Sequence, residues 1–353
     1  MTSVDVAELA SRLDSVVDQV GFHGVAQVAL PGRVLYERAA GYADRAHRVP
    51  NRPDTQFAIA SGTKTFTAVT VMSLVQDGVL RLDDELHGSF GPAGDIVEPG
   101  VTLRHLLAHT SGIGDYLDEE QVEDNEDYVL DIPVHRLTGP AEFLPLLRSR
   151  SPKFPPGARF EYCNSGYVLL ALIVEWAAGS SFYDAVQQRV LRPAGMHRTA
   201  FLRLDELPGT AAIGYLPGRG WRANHLHLPV RGGGDGGAYS TVSDIGRFWR
   251  ELFAGSIVGS EVVESMIQPR HVPSESSRGY GLGFWLARDG RTVQLEGADA
   301  GISFRSGFEP ATGLLYTVVS NTTSGAWPVV EELESLITTT AEPGRMDLRC
   351  DEV

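Results

Sequence analysis

The stretch FAIASGTKTF, residues 57–66, decides how the rest of this chain is interpreted. Its apolar first half predicts an extended approach that ends at Ser61, where the pattern changes to that of a helix. Lys64 follows in the first helical turn, so both side chains leave one face of the helix and can meet within hydrogen-bond reach. A serine needs a neighbouring base to act as a nucleophile, and a lysine can be that base only where burial disfavours its charged form. The pair therefore predicts an activated serine beside a buried lysine.

The apolar residues that follow Lys64 would provide this burial; they are Ala68, Val69, Val71, Met72, Leu74 and Val75. Ser-x-x-Lys alone is nevertheless weak support for catalysis. Short motifs recur by chance, and most copies of this one form the solvated first turn of a helix. The interpretation therefore depends on what accompanies the motif downstream.

Length and composition limit the class of protein. The chain has 353 residues, of which 42% are hydrophobic, enough to bury a large core over two interleaved subdomains. Its formal net charge of -15 argues against a nucleic-acid partner or an anionic membrane surface, since both require a basic patch. No apolar stretch is long enough to span a bilayer.

The cysteine content and the first residues bear on the compartment. The two cysteines, Cys163 and Cys350, argue against a disulfide framework or a thiolate metal site and favour a reducing environment. Asp5 and Glu8 stand where a secretion signal would carry basic residues. We therefore expect a cytoplasmic globular protein that acts on a small molecule without a metal or a cofactor. The sequence does not indicate its oligomeric state.

The pattern along the chain predicts an α+β fold. Helical spacing covers residues 6–20, and two strand-like stretches within residues 25–36 flank the turn pair Pro31-Gly32. A last helix is expected at residues 327–337. Before it, four short stretches rich in aromatic and branched residues predict an antiparallel sheet; they are residues 280–286, 291–295, 302–306 and 314–320.

The middle of the chain differs from its ends, because residues 81–230 show mostly helices separated by Pro and Gly clusters. We therefore predict a discontinuous sheet-and-helix domain of residues 1–80 and 231–340, an inserted and mostly helical domain of residues 81–230, and a loose tail at residues 341–353. Ser61 would lie at the junction of the two domains, where ligand clefts are common.

Two patterns that mimic ligand sites are interpreted as structural. His105 and His109 stand four residues apart, but no acid lies between them, so we expect core or turn histidines and not metal ligands. The glycine run at residues 232–237 lacks the ending of a phosphate-binding loop and predicts a tight backbone passage. Thr102 and Thr241 each precede a helical pattern and are predicted N-caps.

Three elements occur in an order that is known from one superfamily; they are Ser61-x-x-Lys64, Tyr162-x-Asn164 and the triplet Leu295-Glu296-Gly297 on a predicted strand. With them, the chain resembles the serine β-lactamases and penicillin-binding proteins, and in particular the class C β-lactamases with their related esterases and D-stereospecific peptidases. The phrases VTLRHLLAHTSGI at residues 101–113 and YGLGF at residues 280–284 are also similar. The resemblance covers nearly the whole chain. It implies a β-lactamase/transpeptidase-like fold with the active site at the domain junction.

By this resemblance, Ser61 would be the nucleophile and Lys64 the group that lowers the barrier to its deprotonation. Tyr162 would complete the base and later protonate the leaving group, with its pKa lowered by the lysine. Asn164 would orient Lys64 or a substrate amide. The backbone N–H groups of Ser61 and Ala298 would form the oxyanion hole, which contributes about 3 to 4 kcal/mol per donor in comparable enzymes.

The chain departs from the family at Leu295, where relatives carry Lys or His. A leucine cannot pair with a substrate carboxylate, and Glu296 would repel one if it faced the cleft. We therefore expect penicillins and cephalosporins to be poor substrates. Arg305, on the next predicted strand, is the alternative source of a cation.

The sequence thus predicts a serine hydrolase that forms an acyl-enzyme on a small ester, amide or lactam, with weak or no β-lactamase activity. The alternatives are an acyltransferase of the same fold and a non-catalytic penicillin-recognising binding protein. An acidic run at residues 118–131 is either a plain solvated loop or an electrostatic guide for neutral or cationic substrates.

Overall fold

Helices alternate with antiparallel strands in the described part of the chain, which is residues 6–119, 124–271 and 278–339 of a computed structural model. The predicted tail at residues 341–353 lies outside it. The helices are α1 (Val6–Gln19), α2 (Thr63–Gln76), α3 (Leu103–Leu107), α4 (Leu144–Arg148), α5 (Asn164–Ala178), α6 (Phe182–Val186), α7 (Val242–Phe253), α8 (Ser260–Met266) and α9 (Trp327–Thr339). The strands are β1 (Gly24–Leu30), β2 (Arg33–Ala40), β3 (Tyr42–Asp44), β4 (Val49–Pro50), β5 (Phe57–Ala58), β6 (Tyr215–Leu216), β7 (Arg222–Ala223), β8 (Tyr239–Ser240), β9 (Gly279–Tyr280), β10 (Trp285–Leu286), β11 (Val293–Asp299), β12 (Ile302–Glu309) and β13 (Leu314–Ser320).

A seven-stranded sheet forms the centre of the fold, in the order β2-β1-β13-β12-β11-β10-β9. Each neighbouring pair is antiparallel. β1 lies beside β13, with Gly24 opposite Ser320, so an early strand and a late strand of the chain join in the middle of the sheet. The predicted α+β fold with an antiparallel sheet is confirmed.

One predicted strand is wrong. Residues 280–286 do not form a single strand but contain a tight turn between β9 and β10, which pair with each other. The Gly281 N–H donates to the Phe284 carbonyl at 2.9 Å, and Gly283 has a φ of +86°, a conformation that favours glycine. The aromatic and apolar residues of this stretch hid the turn from pattern analysis.

Helices cover both faces of the sheet, as the alternation of side chains along a strand requires. On one face, α1 and α9 bury Leu13 and Leu333 in a cluster that includes Val318 of β13. The next residue of that strand, Val319, points to the opposite face and joins the larger core, to which α2, α5 and α7 contribute. Lys64 of α2 and Asn164 of α5, two of the predicted site residues, therefore lie at this larger core.

α2 is buried on all sides, because every residue from Thr63 to Leu74 is inside the protein. Its polar side chains are therefore satisfied internally. The hydroxyl of Thr65 donates to the Gly283 carbonyl at 2.7 Å, and that of Thr67 donates to the Gly234 carbonyl at 2.6 Å. A lysine in the first turn of this helix is consequently surrounded by protein.

Residues 81–230 contain α3 to α6 and the short pair β6–β7, in keeping with the mostly helical insert that the sequence predicts. The division into two domains stays a prediction. Within the described ranges, no single helix is long and apolar enough to cross a bilayer; α5 and residues Phe182–Leu191 reach that length and composition only together, across a bend of 80°.

Candidate active site

The predicted nucleophile Ser61 lies in a one-turn 3-10 helix, Ala60–Gly62, that leads into α2. The Thr63 hydroxyl donates to the Ala60 carbonyl at 2.7 Å and accepts the Ala238 N–H at 3.0 Å. These bonds hold Ala60 at a φ of +43°, a left-handed conformation that costs a non-glycine residue about 1 to 2 kcal/mol. The turn thereby presents a partly exposed Ser61 at the start of a buried helix.

Lys64 is 2% exposed, and its ammonium group has a protein partner for each of its three N–H donors. The Nζ atom lies 2.8 Å from Ser61 Oγ, 2.7 Å from Asn164 Oδ1 and 2.6 Å from the Asp235 carbonyl. Burial lowers the pKa of Lys64, while nearby carboxylates, Asp235 above all, act in the opposite direction. The lysine is thus held against the predicted nucleophile, with a depressed pKa that suits a proton acceptor.

Asn164 is the first residue of α5, so the helix begins three residues before the apolar run at residues 167–178. The cause is Asp115, which is distant in sequence. Its carboxylate accepts the backbone N–H of Asn164 at 2.7 Å and that of Ser165 at 2.9 Å, and so caps the helix from outside. Asp115 is not among the site residues that the sequence predicts, because a cap that is 49 residues away leaves no local signal.

The side-chain amide of Asn164 has a fixed orientation. Its Nδ2 donates to the Leu117 carbonyl and to Glu119 Oε1, both at 3.0 Å, so that its Oδ1 faces Lys64. Of the two predicted roles for Asn164, the structure favours the orientation of Lys64, because the amide N–H groups that a substrate would need are already engaged.

Tyr162 lies close to the same pair, with its ring centroid 4.9 Å from Lys64 Nζ. Burial, and after it the Glu119 carboxylate, raises the pKa of Tyr162 well above the ordinary tyrosine value, although a hydrogen bond with Ser61 acts in the opposite direction. The expectation of a lowered pKa for Tyr162 is therefore wrong for the resting protein, because the cost of burying a phenolate dominates. Tyr162 keeps its proton.

His109 supports Tyr162 from beneath, with the two ring centroids 4.3 Å apart and the planes inclined by 32°. Its Nδ1 accepts the Cys163 N–H at 3.1 Å, and its Nε2 lies 3.2 Å from the Tyr280 hydroxyl. Burial and the Lys64 charge hold the pKa of His109 well below its ordinary value, so the imidazole is neutral. The sequence predicts only a core or turn position for His109. The similar phrase at residues 101–113 could have indicated this contact with Tyr162.

His105, the other member of the apparent metal pair, belongs to the start of α3. Its Nδ1 accepts the Thr102 N–H at 3.2 Å, and the Thr102 hydroxyl in turn accepts the His105 N–H at 3.4 Å. Thr102 is thus the N-cap that the sequence predicts. Among the residues that the structure describes, no group of three or more His, Cys, Asp and Glu side chains could hold a metal ion.

The late strand β11 passes directly behind the Ser61 turn at Gly297. A Cβ atom there would lie 2.1 Å from the Ile59 carbonyl oxygen and 2.8 Å from the Ser61 nitrogen, so only glycine fits. Ala298 follows and lines the same cleft as Ser61. The backbone of β11 is therefore close enough to the turn for an oxyanion hole, which stays a prediction.

The surroundings of Leu295 and Glu296 differ from those that the sequence predicts. The Leu295 side chain is 1% exposed and belongs to the large core, so we correct its predicted role as a substrate contact. Glu296 accepts two hydrogen bonds from Arg278, at 2.6 and 2.8 Å, and two from Arg305, one from Nε at 2.6 Å and one from Nη2. Arg305 also pairs with Glu334 of α9, which packs on the sheet. Its charge is compensated there, so it is not the alternative cation.

The glycine run at residues 232–237 forms the tight backbone passage that the sequence predicts. The Gly233 N–H donates to the Gly236 carbonyl at 2.9 Å, and a Cβ atom on Gly234 would lie 2.2 Å from the Tyr167 carbonyl. The passage carries Asp235 to Lys64, a contact that the sequence analysis missed because a backbone carbonyl has no sequence signature.

A cleft opens beside Ser61, and its other lining residues are Tyr116, Leu117, Glu119, Asn125, Tyr128, Asn164, Asp235, Gly236, Ala298 and Asp299. Glu119 is the exposed acid of this set. The rest of the acidic run that is described makes contacts elsewhere: Asp118 pairs with Lys153 at 2.7 Å, and Asp131 with Arg150 at 2.8 Å. Glu120 and Glu123 lie outside the described residues.

Comparison with known proteins supports the same assignment of family. The sequence profile of the Beta-lactamase family matches residues 9–337. Esterase EstB of Burkholderia gladioli is 37% identical over 239 residues, which are 62% of this chain and 57% of EstB. Across EstB and two penicillin-binding proteins of Bacillus subtilis (strain 168), the chain spans 57% to 67% of the relative's length.

Solved structures agree over nearly the full chain. The penicillin binding protein from Bacillus halodurans has a TM-score of 0.86 and 37% sequence identity, covering 92% of this chain and 99% of that one. The D-amino acid amidase from Ochrobactrum anthropi SV3 has a TM-score of 0.77 and 26% identity, covering 94% and 98%. The chain therefore belongs to the beta-lactamase family and has its β-lactamase/transpeptidase fold.

Proposed function

We propose that the chain is a serine hydrolase that forms an acyl-enzyme at Ser61 on small, uncharged esters or amides. The observation that carries the proposal is the 2.8 Å contact between Ser61 Oγ and Lys64 Nζ, made by a lysine that is 2% exposed. A buried lysine with a lowered pKa can accept the serine proton when substrate arrives.

The lowered pKa of Lys64 suits a base, and the raised pKa of Tyr162 suits an acid. Lys64, in its neutral form, takes the proton of Ser61 as Oγ attacks the substrate carbonyl. The backbone N–H groups of Ser61 and Ala298 would hold the oxyanion. Tyr162, kept protonated by burial, gives its proton to the leaving group as the carbon–leaving-group bond breaks and regains one from the lysine. Water then enters, and the same proton transfers in reverse release the acid.

The charges of the cleft bear on the choice of substrate. No cationic side chain belongs to the described lining of the cleft, while Glu119 is exposed there. The ammonium group of Lys64, next to Ser61, is engaged by three protein partners. The carboxylate of a penicillin or a cephalosporin would lack a partner and would face this acid. The expected weak β-lactamase activity therefore rests on these charges and no longer on the Leu295 side chain.

The names of the relatives are consistent with this choice. One relative is an esterase, and a structural neighbour is a D-amino acid amidase, so the fold supports both ester and amide chemistry. A cytoplasmic location is also proposed, and fractionation of the producing cells followed by immunoblotting tests it.

Acylation of Ser61 is the direct test. Intact-mass spectrometry of the purified chain after incubation with an activated ester should show one acyl adduct, and Ser61→Ala should show none while keeping its circular dichroism spectrum. A stable adduct on the variant contradicts the proposal. Product analysis with an added alcohol distinguishes the hydrolase from an acyltransferase, and failure of the native chain to react with a fluorophosphonate supports the non-catalytic binding protein.

A further inference from the structure

The ring of Tyr162 packs against two aromatic side chains from different parts of the chain. His109 lies with its centroid 4.3 Å away, and Trp285 of β10 stacks at 5.9 Å with the planes inclined by 14°. Trp285 is half-buried and meets the ring of Tyr280 edge-on at 4.9 Å. The position of the Tyr162 ring therefore depends on where the indole of Trp285 is held.

A cation lies over the indole of Trp285. The guanidinium carbon of Arg278 is 4.5 Å from the ring centroid, a distance at which the π system attracts a positive charge. Glu296 accepts two hydrogen bonds from Arg278, at 2.6 and 2.8 Å, and Gln294 Oε1 accepts one at 3.3 Å. Two parallel bonds to a carboxylate fix the plane of a guanidinium as well as its distance. Trp285 is thus held by a cation of fixed orientation.

Glu296 is itself anchored in the sheet. It accepts two hydrogen bonds from Arg305 of β12, and Arg305 pairs with Glu334 of α9 at 3.1 Å. The side chains of Arg278, Glu296 and Arg305 are only 17% to 22% exposed, so the water that weakens such pairs at an open surface is largely excluded. The contact on Trp285 is therefore attached to the framework of the fold.

These side chains do not contact the cleft. In the described lining of the Ser61 cleft, neither Trp285 nor Arg278 nor Glu296 is present. Burial raises the pKa of Tyr162 most, and the Glu296 carboxylate is among the charges that raise it further, so Glu296 also acts on the phenol through its charge. Two arginines compensate that charge, whereas the packing from Arg278 through Trp285 to Tyr162 is continuous.

We propose that Arg278 is a positioning residue of the reaction. Held by Glu296, its guanidinium fixes the Trp285 ring, and that ring fixes Tyr162 where it can give its proton to the leaving group. The inference rests on the proposed acyl-enzyme mechanism, because that mechanism makes Tyr162 the acid. Arg278 and Trp285 exchange no proton with the substrate; they act through the geometry of the transfer.

Arg278→Met tests the proposal, because methionine keeps a long apolar side chain but removes the charge and the bonds to Glu296. In single-turnover experiments with a short activated ester, the maximal rate of acylation should fall about 10- to 100-fold, while the ester concentration that gives half of that rate changes less than about twofold. Arg278→Lys keeps a charge over Trp285 and should recover part of the rate. Acylation of Arg278→Met at the native rate overturns the proposal.

Arg38→Met is the matched control for this substitution. Arg38 is also paired with carboxylates, those of Asp14 and Asp18 on α1, and is 31% exposed. It belongs to β2, at the opposite edge of the sheet from β9 and β10. Arg38→Met should acylate at the native rate, and circular dichroism of both variants shows that the fold is kept. An equal loss in the two variants overturns the assignment to Arg278.

Double variants separate packing from charge. In Arg278→Met, Glu296 keeps only Arg305 as an arginine partner, so its charge acts more strongly on Tyr162; adding Glu296→Gln removes that charge without restoring the contact on Trp285. The double variant should stay slow, and a return to the native rate overturns positioning through packing. Trp285→Leu should be slow as well, and joined to Arg278→Met it should lose little more than the worse single variant. Losses that multiply overturn the shared route.

A measurement without turnover separates this inference from the proposed function. In protein labelled with ring-carbon-13 tyrosine, the Tyr162 resonances are identified by their loss in Tyr162→Phe. They should shift in Arg278→Met, because the ring current at Tyr162 changes when the indole of Trp285 moves, and should stay in place in Arg38→Met. If native Ser61 forms no acyl adduct but the resonances shift in this way, the catalytic proposal fails and the link from Arg278 to Tyr162 stands. If adducts form but the resonances do not shift, the link fails alone.

Discussion

The imidazole of His109 lies under the ring of Tyr162, with centroids 4.3 Å apart, while its Nδ1 accepts the N–H of Cys163, the next residue in the chain. One histidine thus holds both the ring and the backbone of the predicted acid. His109 does not line the cleft, so we expect it to act on the reaction through the position of Tyr162.

His109→Phe should lower kcat about 10- to 100-fold with little change in KM, the order expected when a reacting group is misplaced. The loss of a hydrogen-bond acceptor for Cys163 is the cause, so His109→Gln, which can still accept, should recover part of the rate. Steady-state kinetics with a short ester measures both variants, and His105→Gln serves as control because His105 caps α3. An increase in KM with unchanged kcat would contradict a positioning role.

His109 also makes stability depend on pH. Burial holds the pKa of His109 well below the ordinary histidine value of about 6.5, so below about pH 6.5 the unfolded chain binds a proton that the folded protein does not. The neutral imidazole contributes to the free energy of unfolding above pH 6.5. This contribution decreases as the pH falls, by at most about 1.4 kcal/mol per pH unit. Urea unfolding of native protein and His109→Gln from pH 7 to 5 should give a shallower pH slope for the variant.

The comparison between the two proteins is needed because other groups titrate in this range. Burial raises the pKa of Asp115 to about 6, and a carboxyl with a raised pKa contributes with the opposite sign, favouring the folded state as the pH falls. Asp115 is common to both proteins, so the difference between their slopes reports His109. Identical slopes would contradict the assignment of a neutral buried imidazole.

Lys64→Ala and Tyr162→Phe should each lower kcat about 10²- to 10⁴-fold, the range for general acid–base groups. Because the lysine returns the proton that the tyrosine gives away, the double variant should lose little more than the worse single variant. Single-turnover measurements of acylation on the three proteins provide the comparison. Losses that multiply would show that the two side chains act independently.

Gly297→Ala should destabilise the fold by about 1 to 3 kcal/mol and greatly reduce acylation, because the added Cβ would displace β11 from the Ser61 turn. Gly209→Ala is the control, since a Cβ atom there meets nothing within 4 Å. Chemical denaturation and adduct formation measure the two effects. Native acylation by Gly297→Ala would contradict the close approach of strand and turn.

Glu119→Gln should reduce the preference for cationic over neutral esters by about threefold to tenfold at low salt, and less at high salt, as expected for one exposed charge. Asp127→Asn is the matched control, because Asp127 belongs to the same acidic run but pairs with Arg219 at 2.9 Å. The ratio of kcat/KM for a choline ester and its neutral isostere is the readout. An unchanged ratio at low salt would leave the run as a solvated loop.

The sequence was informative where local chemistry determines structure. Ser61 and Lys64 share a helical turn, so their spacing alone predicted the 2.8 Å contact, and the hydroxyls of Thr102 and Thr241 predicted the starts of α3 and α7. The sequence did not predict features that depend on a residue far away in the chain. Asp115 starts α5 earlier than its own residues indicate.

The strand patterns also did not predict the orientation and the partners of the side chains on β11. The alternation along β11 does not show which face of the sheet Leu295 occupies. A leucine suits the core, where the structure places it, and only the family resemblance placed it in the cleft. The compensation of Glu296 by Arg278 and Arg305 depends on cross-strand register, which no single stretch of sequence contains.

The partners of Lys64 have a consequence for the making of this protein. They come from residues 3, 100 and 171 positions away along the chain. A ribosome releases the chain from its first residue onward, so Ser61 and Lys64 emerge long before Asp235 exists. Until then the lysine is hydrated and carries its ordinary charge, and the serine beside it is as inert as any other. The proposed reactivity of Ser61 would therefore begin only when the nascent chain has closed around the lysine, and the serine of an unfinished chain would not react with cellular esters during synthesis.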